Sequence, residues 1–200
     1  MLTRSHTKDG AALFDRAVQV IHGDIGYLCE IDGKALDALA FPTHSHLSNN
    51  GIGAAAVVHR RAGPQLDAYL RSPMAGNLAS RGLATGEVVV TPAFNANVNK
   101  LIHCVGPRVT NPDCERLLER TYESLMSAVA HDGLKCVAIA SISTGNLGVA
   151  AVDGARVAMR VLQRFLRAHH GWCGAVAFVC FERDVFDAFA AEKRRVQFHS

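Results

Sequence analysis

No two of the six cysteines are spaced as CxxC; they fall singly at Cys29, Cys104, Cys114, Cys136, Cys173 and Cys180. Zinc held by cysteine spacing is therefore unsupported, and Cys104, Cys136 and Cys180 lie in apolar runs where a free thiol acts as a small hydrophobe. The chain also lacks a signal-peptide pattern and any apolar run long enough to span a bilayer. Those absences set the expectation of no membrane partner and a reducing compartment, cytoplasmic or nuclear, with thiols free. Charge of one sign is missing too: 21 Lys+Arg stand against 18 Asp+Glu, a net +3, and neither half is lopsided. A broad phosphate-binding surface for nucleic acid is thus not the default. There is no internal repeat. What is present, 200 residues with 49% hydrophobic and 20% charged side chains, is a globular composition able to bury a real core.

Several short apolar runs alternate with amphipathic ones. Strands are expected at 18–21, 38–41 (stopped by Pro42), 87–90, 101–105, 136–140 and 175–181. Helices are expected at about 54–61, 65–70, 113–129 (with Asp113 as N-cap), 152–167 and 183–192, with 72–85 as loop and 1–16 unassigned. Asp32-Gly33 marks a turn. Leu118, Tyr122, Leu125, Met126 and Val129 repeat at helical spacing and are core. Strands without period-2 polarity, alternating with helices, indicate an α/β fold: a three-layer α/β/α sandwich with a central mixed, mostly parallel sheet covered on both faces.

Two glycine-bearing turns stand at strand-to-helix junctions. The segment Ser143-Thr144-Gly145-Asn146-Leu147-Gly148 follows the 136–140 strand, and Asn49-Asn50-Gly51-Ile52-Gly53-Ala54 precedes a helix. Such turns leave backbone N–H groups unpaired beside the positive end of a helix dipole, a site for phosphate without lysine or metal. Each alone is equally well an ordinary tight turn. In parallel sheets ligands lie beyond the carboxyl ends of the strands. Asp24, the His44–Ala54 segment, the Ser143–Gly148 loop and Phe181 should therefore share one rim. Asp24 is a turn residue or a ligand contact, and spacing favours the turn. A carboxylate, two N–H-rich loops and an aromatic ring together suit a nucleotide diphosphate. Arg156, Arg160, Arg164 and Arg167 form one helix face; a solvated face is the common reading and polyanion contact the minor one.

In these pieces the sequence resembles the macrodomain family of ADP-ribose-binding modules. The resemblance rests on Gly23-Asp24-Ile25, Gly51-Ile52-Gly53, Val58-His59-Arg60-Arg61-Ala62-Gly63-Pro64, Thr85-Gly86-Glu87, Leu101-Ile102-His103-Cys104-Val105-Gly106-Pro107, Ile142-Ser143-Thr144-Gly145 and Val179-Cys180-Phe181. It covers about 17–189, implying a single macrodomain over 1–200 with 1–16 and 193–200 peripheral. Phe41-Pro42-Thr43-His44 and Gly145-Asn146-Leu147-Gly148 look most like the macro-histone branch. The resemblance implies that Asp24 accepts the adenine amino group, that the Ile25 N–H bonds a ring nitrogen and that Phe181 stacks on or edges the adenine. Gly53, Ala54 and Thr144–Leu147 amides would hold the diphosphate, and Leu147 would cover the distal ribose; Gly51, Ile52, Ser143 and Gly148 complete the two turns.

Hydrolytic members carry Asn-Ala-Ala-Asn and an Asp beside the glycine-rich turn. Here the asparagine positions fall on Phe41 and His44 (or, one residue out, Pro42 and Ser45), and the Asp position falls on Ala55. Alanine cannot orient or deprotonate water. The leading expectation is a non-catalytic reader of ADP-ribose or an ADP-ribosylated protein, with no cofactor. The alternatives are an ADP-ribosyl hydrolase using His44 as a non-standard base, or a degenerate domain contacting protein or RNA through its arginine face. A metal at His44-x-His46 lacks a third ligand at recognisable spacing, so none is expected.

Overall fold

Six strands form one sheet because their residues have apolar neighbours to meet on both faces. The computed structural model describes residues 12–49 and 51–198. In chain order the elements are α1 (residues 12–17), β1 (Val18–His22), β2 (Glu30–Ile31), β3 (Lys34–Ala35), β4 (Ala38–Pro42), α2 (Gly53–Ala62), α3 (Pro64–Leu70) and α4 (Leu78–Arg81). They continue as β5 (Val88–Pro92), β6 (Lys100–Cys104), α5 (Cys114–His131), β7 (Cys136–Ala140), α6 (Ala151–Ala168), β8 (Ala175–Cys180) and α7 (Arg183–Phe198). The sheet order is β1-β8-β7-β4-β6-β5, with only β5 antiparallel to its neighbour, and β2-β3 is a separate hairpin around Asp32-Gly33.

Alternate residues of the central strands divide between two cores, as the two-residue repeat of a strand requires. Ala40, Ile102, Val137, Ile139, Val176 and Phe178 pack beneath α5, α6 and α7. Leu39, Phe41, Leu101, Ala138, Ala177 and Val179 pack beneath α2 and α3. Every residue of β7 is buried. That double covering is why the strands lack polar alternation. The fold is the expected mixed, mostly parallel sheet between helical layers.

Several boundaries differ from expectation. The 72–85 stretch contains a 3-10 turn at Pro73–Ala75 and the short α4. Pro42 is the last residue of β4, tolerated there because it ends the strand. Asp113 makes no cap hydrogen bond to the amides of α5; its carboxylate pairs with Arg116 at 2.8 Å. Residues 12–16, unassigned from sequence, are helical and seat Phe14 in the core, whereas 1–11 lie outside the described residues. The closing helix runs on to Phe198, and Val196 is buried in the larger core, so 193–198 are integral rather than peripheral.

The arginine row of α6 is also not a free surface. Arg160 donates to Glu115 (3.1 Å) and Glu119 (2.8 Å), and Arg164 pairs with Glu119 (2.5 Å) and Glu123 (2.6 Å), joining α6 to α5; Arg156 pairs with Asp153 on its own helix. Burial alone raises the Glu119 carboxyl, but the hydrogen bond from Arg164 and the charges of both arginines outweigh it and hold the group below the usual range. These ion pairs engage three of the four arginines of the row and leave the exposed Arg167 outside them.

Candidate functional site

The five parallel strands end at one edge of the sheet, in register: His22 opposite Cys180, Ala140 opposite Val179, Pro42 opposite Cys104. The loops they release surround a cavity of about 680 Å³. Taken across the sheet, Asp24 and Ile25 follow β1, Phe181 and Glu182 follow β8, Ser141 to Leu147 follow β7, Thr43 and His44 follow β4, and Arg108 comes after β6. The acidic residues thus stand at the β1–β8 end, and the one arginine of the lining stands at the β4–β6 end.

Of the residues singled out from sequence, Asp24, Ile25, His44, Ile52, Gly53, Ala54, Ser143, Gly145, Asn146, Leu147 and Phe181 line this cavity. Gly51, Thr144 and Gly148 do not line it but belong to the turns that shape it, and Asn50 lies outside the described residues. Ala55 lines the wall beside Gly53 and Ala54, whereas Phe41 is fully buried, its ring clustered with the imidazoles of His59 and His103, which also contact each other.

Two sets of amides face ligand space. Helix α2 begins at Gly53 (φ +64°) with no side-chain cap and no acidic residue in its first turn, and His59, Arg60 and Arg61 occupy its last turn. Its first amides are orphaned by helix geometry and carry the positive dipole end. In the second set, among the described residues, the amides of Thr144, Gly145, Asn146 and Leu147 donate to nothing within the protein. The loop is closed by Gly148 N–H to Gly145 O (2.8 Å) and Val149 N–H to Ser143 O (3.0 Å). The sequence put a helix N-terminus behind each of the two turns; the structure brings that of α2 to the cavity, whereas the first turn of α6 lies outside the lining.

Residues not singled out as site residues hold the loops in place. Tyr122, read only as core, accepts the Ile142 N–H at 3.2 Å through its hydroxyl, fixing the exit from β7. Gly106 lets the β6 exit press against Ser143 and Ile142: a Cβ there would stand 2.6 Å from Ile142 Cγ2 and within contact distance of the Ser143 hydroxyl. Ser143 itself is buried at φ +66°, a region most L-residues avoid. Val109 N–H donates to Leu147 O at 2.8 Å, tying the Arg108 segment to the loop. Arg61 donates to Leu28 O at 2.7 Å and reaches the carbonyls of Ile25 and Gly26, bracing the turn that carries Asp24. Asp24 fills the turn role as well, accepting from Gly26 N–H at 2.8 Å through Oδ1 while also lining the cavity.

His44 has a defined orientation. Its Nδ1 accepts the His46 backbone N–H at 3.3 Å, which places the proton of the neutral ring on Nε2. The ring nitrogen left for the cavity is then a donor, and the lone pair that a general base needs is already engaged. Beneath the wall, His59 bonds Asp67 (2.9 Å) and His103 bonds Thr91 (3.0 Å). Burial, reinforced by His59, pushes His103 down to about 3. Among the described residues no group of three or more His, Cys, Asp or Glu is placed to hold a metal, and no described helix is long and apolar enough to cross a membrane.

A family model described as "Macro domain" matches residues 42–158. Among curated proteins, the chain is 30% identical over 176 residues to an O-acetyl-ADP-ribose deacetylase 1 of Pantoea vagans, covering 87% of this chain and 96% of that protein. It is also 30% identical over 153 residues to a GDAP2 homolog of Nematostella vectensis, covering 75% of this chain but only 29% of that longer protein. Among solved structures, an Oceanobacillus iheyensis macrodomain superposes with TM-score 0.81 at 24% identity, covering 92% of this chain and 93% of that one. A Trypanosoma brucei macrodomain in complex with ADP-ribose superposes with TM-score 0.75 at 27% identity, covering 92% of this chain and 71% of its own.

Proposed function

The chain belongs to the Macro domain family, and from that premise we propose that it binds ADP-ribose, free or protein-linked, as a reader rather than a catalyst. One observation carries the reading: the uncapped start of α2 and the unpaired amides after β7 open on the same cavity, which Asp24 and Phe181 close at the β1–β8 end. The diphosphate takes the amides of Gly53, Ala54 and Gly145 to Leu147. The adenine lies between Asp24 and the exposed Phe181 ring, and the terminal ribose lies by Leu147 and His44. Each contact is modest, and a hydrogen bond to a charged group contributes about 1.5–3 kcal/mol. The whole chain as one macrodomain is part of the same proposal.

Ala55 and the engaged Nδ1 of His44 support reading over hydrolysis. The deacetylase name of the Pantoea relative favours the second reading, removal of a group from the terminal ribose. Calorimetric titration with ADP-ribose tests the first: Asp24→Ala and Gly145→Glu should each abolish binding, and unchanged affinity in both would remove this account of the cleft. Incubation with a mono-ADP-ribosylated protein tests the second; loss of label that disappears in His44→Ala would establish catalysis.

A further inference from the structure

A second cavity of about 420 Å³ adjoins the cleft at its β4–β6 end. The two share Thr43, His44, Arg108 and Leu147, so Leu147 and Arg108 stand at their junction. The annexe is lined by the apolar Val105, Pro112 and Leu147 together with donors that include Arg108 and Asn111. No carboxylate lines it. Arg108 is exposed and has no ion-pair partner among the described residues, and the neighbouring His44 offers Nε2–H rather than a lone pair. The Val109-to-Leu147 hydrogen bond holds the Arg108 segment against the cleft wall.

Resting on the ADP-ribose reading above, we propose that the annexe receives the acceptor polypeptide beyond the terminal ribose, and that Arg108 selects acceptors with an acidic side chain beside the modified residue. The volume and half-apolar wall suit a stretch of peptide rather than a lone inorganic anion. A cation with no acid nearby is complementary only to negative charge. Ala55 brings no carboxylate to the adjoining cleft wall, so no repulsion arises there.

Two synthetic peptides test this, each carrying one ADP-ribosylated serine and flanked either by glutamates or by glutamines. Fluorescence anisotropy should show the wild-type protein preferring the acidic peptide by about fivefold at low salt, the range of a partly exposed charge pair. The preference should shrink as salt rises. Arg108→Ala should bring the ratio to about one, and Arg108→Glu should reverse it, a sign change that a loss of packing does not produce. Equal affinity of the wild-type protein for the two peptides, or a ratio untouched by Arg108→Glu, overturns the proposal. So does a stronger preference for an ADP-ribosylated RNA end than for the acidic peptide. Free ADP-ribose is titrated alongside: if it fails to bind, the cleft reading falls, and if it binds while the peptides do not differ, only the role of the annexe falls.

Discussion

Gly106→Ala adds one methyl group where the structure has no room for it. The new Cβ would stand 2.6 Å from Ile142 Cγ2 and press on the Ser143 hydroxyl. Neither neighbour yields easily, since Ile142 and Ser143 are both buried and Ser143 is in a left-handed conformation. Overpacking of this kind costs about 1–3 kcal/mol. At about 2–4 °C per kcal/mol for a chain of this size, Tm should fall by about 2–12 °C. The strain enters at the start of the loop whose amides face the cleft, so ADP-ribose affinity should fall as well. Gly145→Ala is the control: its Cβ meets nothing within 4 Å and its φ is not positive, so Tm should stay within about 1 °C. Thermal denaturation and calorimetric titration read both quantities. A Gly106→Ala protein as stable as the wild type and equally tight for ADP-ribose would refute the packing argument.

Acid should destabilise the protein through His103. Its folded value of about 3 lies below the ordinary 6.5 because burial, with His59, disfavours the charged ring. Below pH 6.5 the unfolded chain therefore binds a proton that the folded chain excludes, and stability is lost as pH falls from about 6.5 toward 3. At about 1.4 kcal/mol per pH unit the loss reaches about 2 kcal/mol by pH 5. Urea unfolding of wild type and His103→Gln at pH 7.5 and 5 reads it; parallel losses in the two proteins would exclude His103 as the cause. Glu119→Gln should cost about 1 kcal/mol, discounted for the partial exposure of Arg160 and Arg164. The cost should fade in high salt, and a cost independent of salt would point to packing instead.

How far the sequence could be read depended on the range of the forces involved. β7 was placed residue for residue because a fully buried run bounded by turn residues carries its own limits. α4 was missed because four residues hold barely one helical turn, too few to show a period. Asp113 has the right identity for a cap, yet Arg116 on the next turn competes for its carboxylate. The fate of the arginine row was invisible until α5 supplied Glu115, Glu119 and Glu123 across an interhelical contact. The rim itself was legible, because strand ends in a parallel sheet fix where loops emerge. That the start of α6 stays out of the cavity was not, nor was the engagement of His44 Nδ1, because both depend on how a loop turns after leaving the sheet.

The most direct measurement is a heteronuclear NMR titration of the isotope-labelled protein with ADP-ribose, following backbone amides. The account predicts that the largest downfield proton shifts, together with slowed solvent exchange, occur at Gly53, Ala54, Gly145, Asn146 and Leu147. Saturable binding that leaves those five amides unmoved, with shifts gathered elsewhere on the surface, would contradict it.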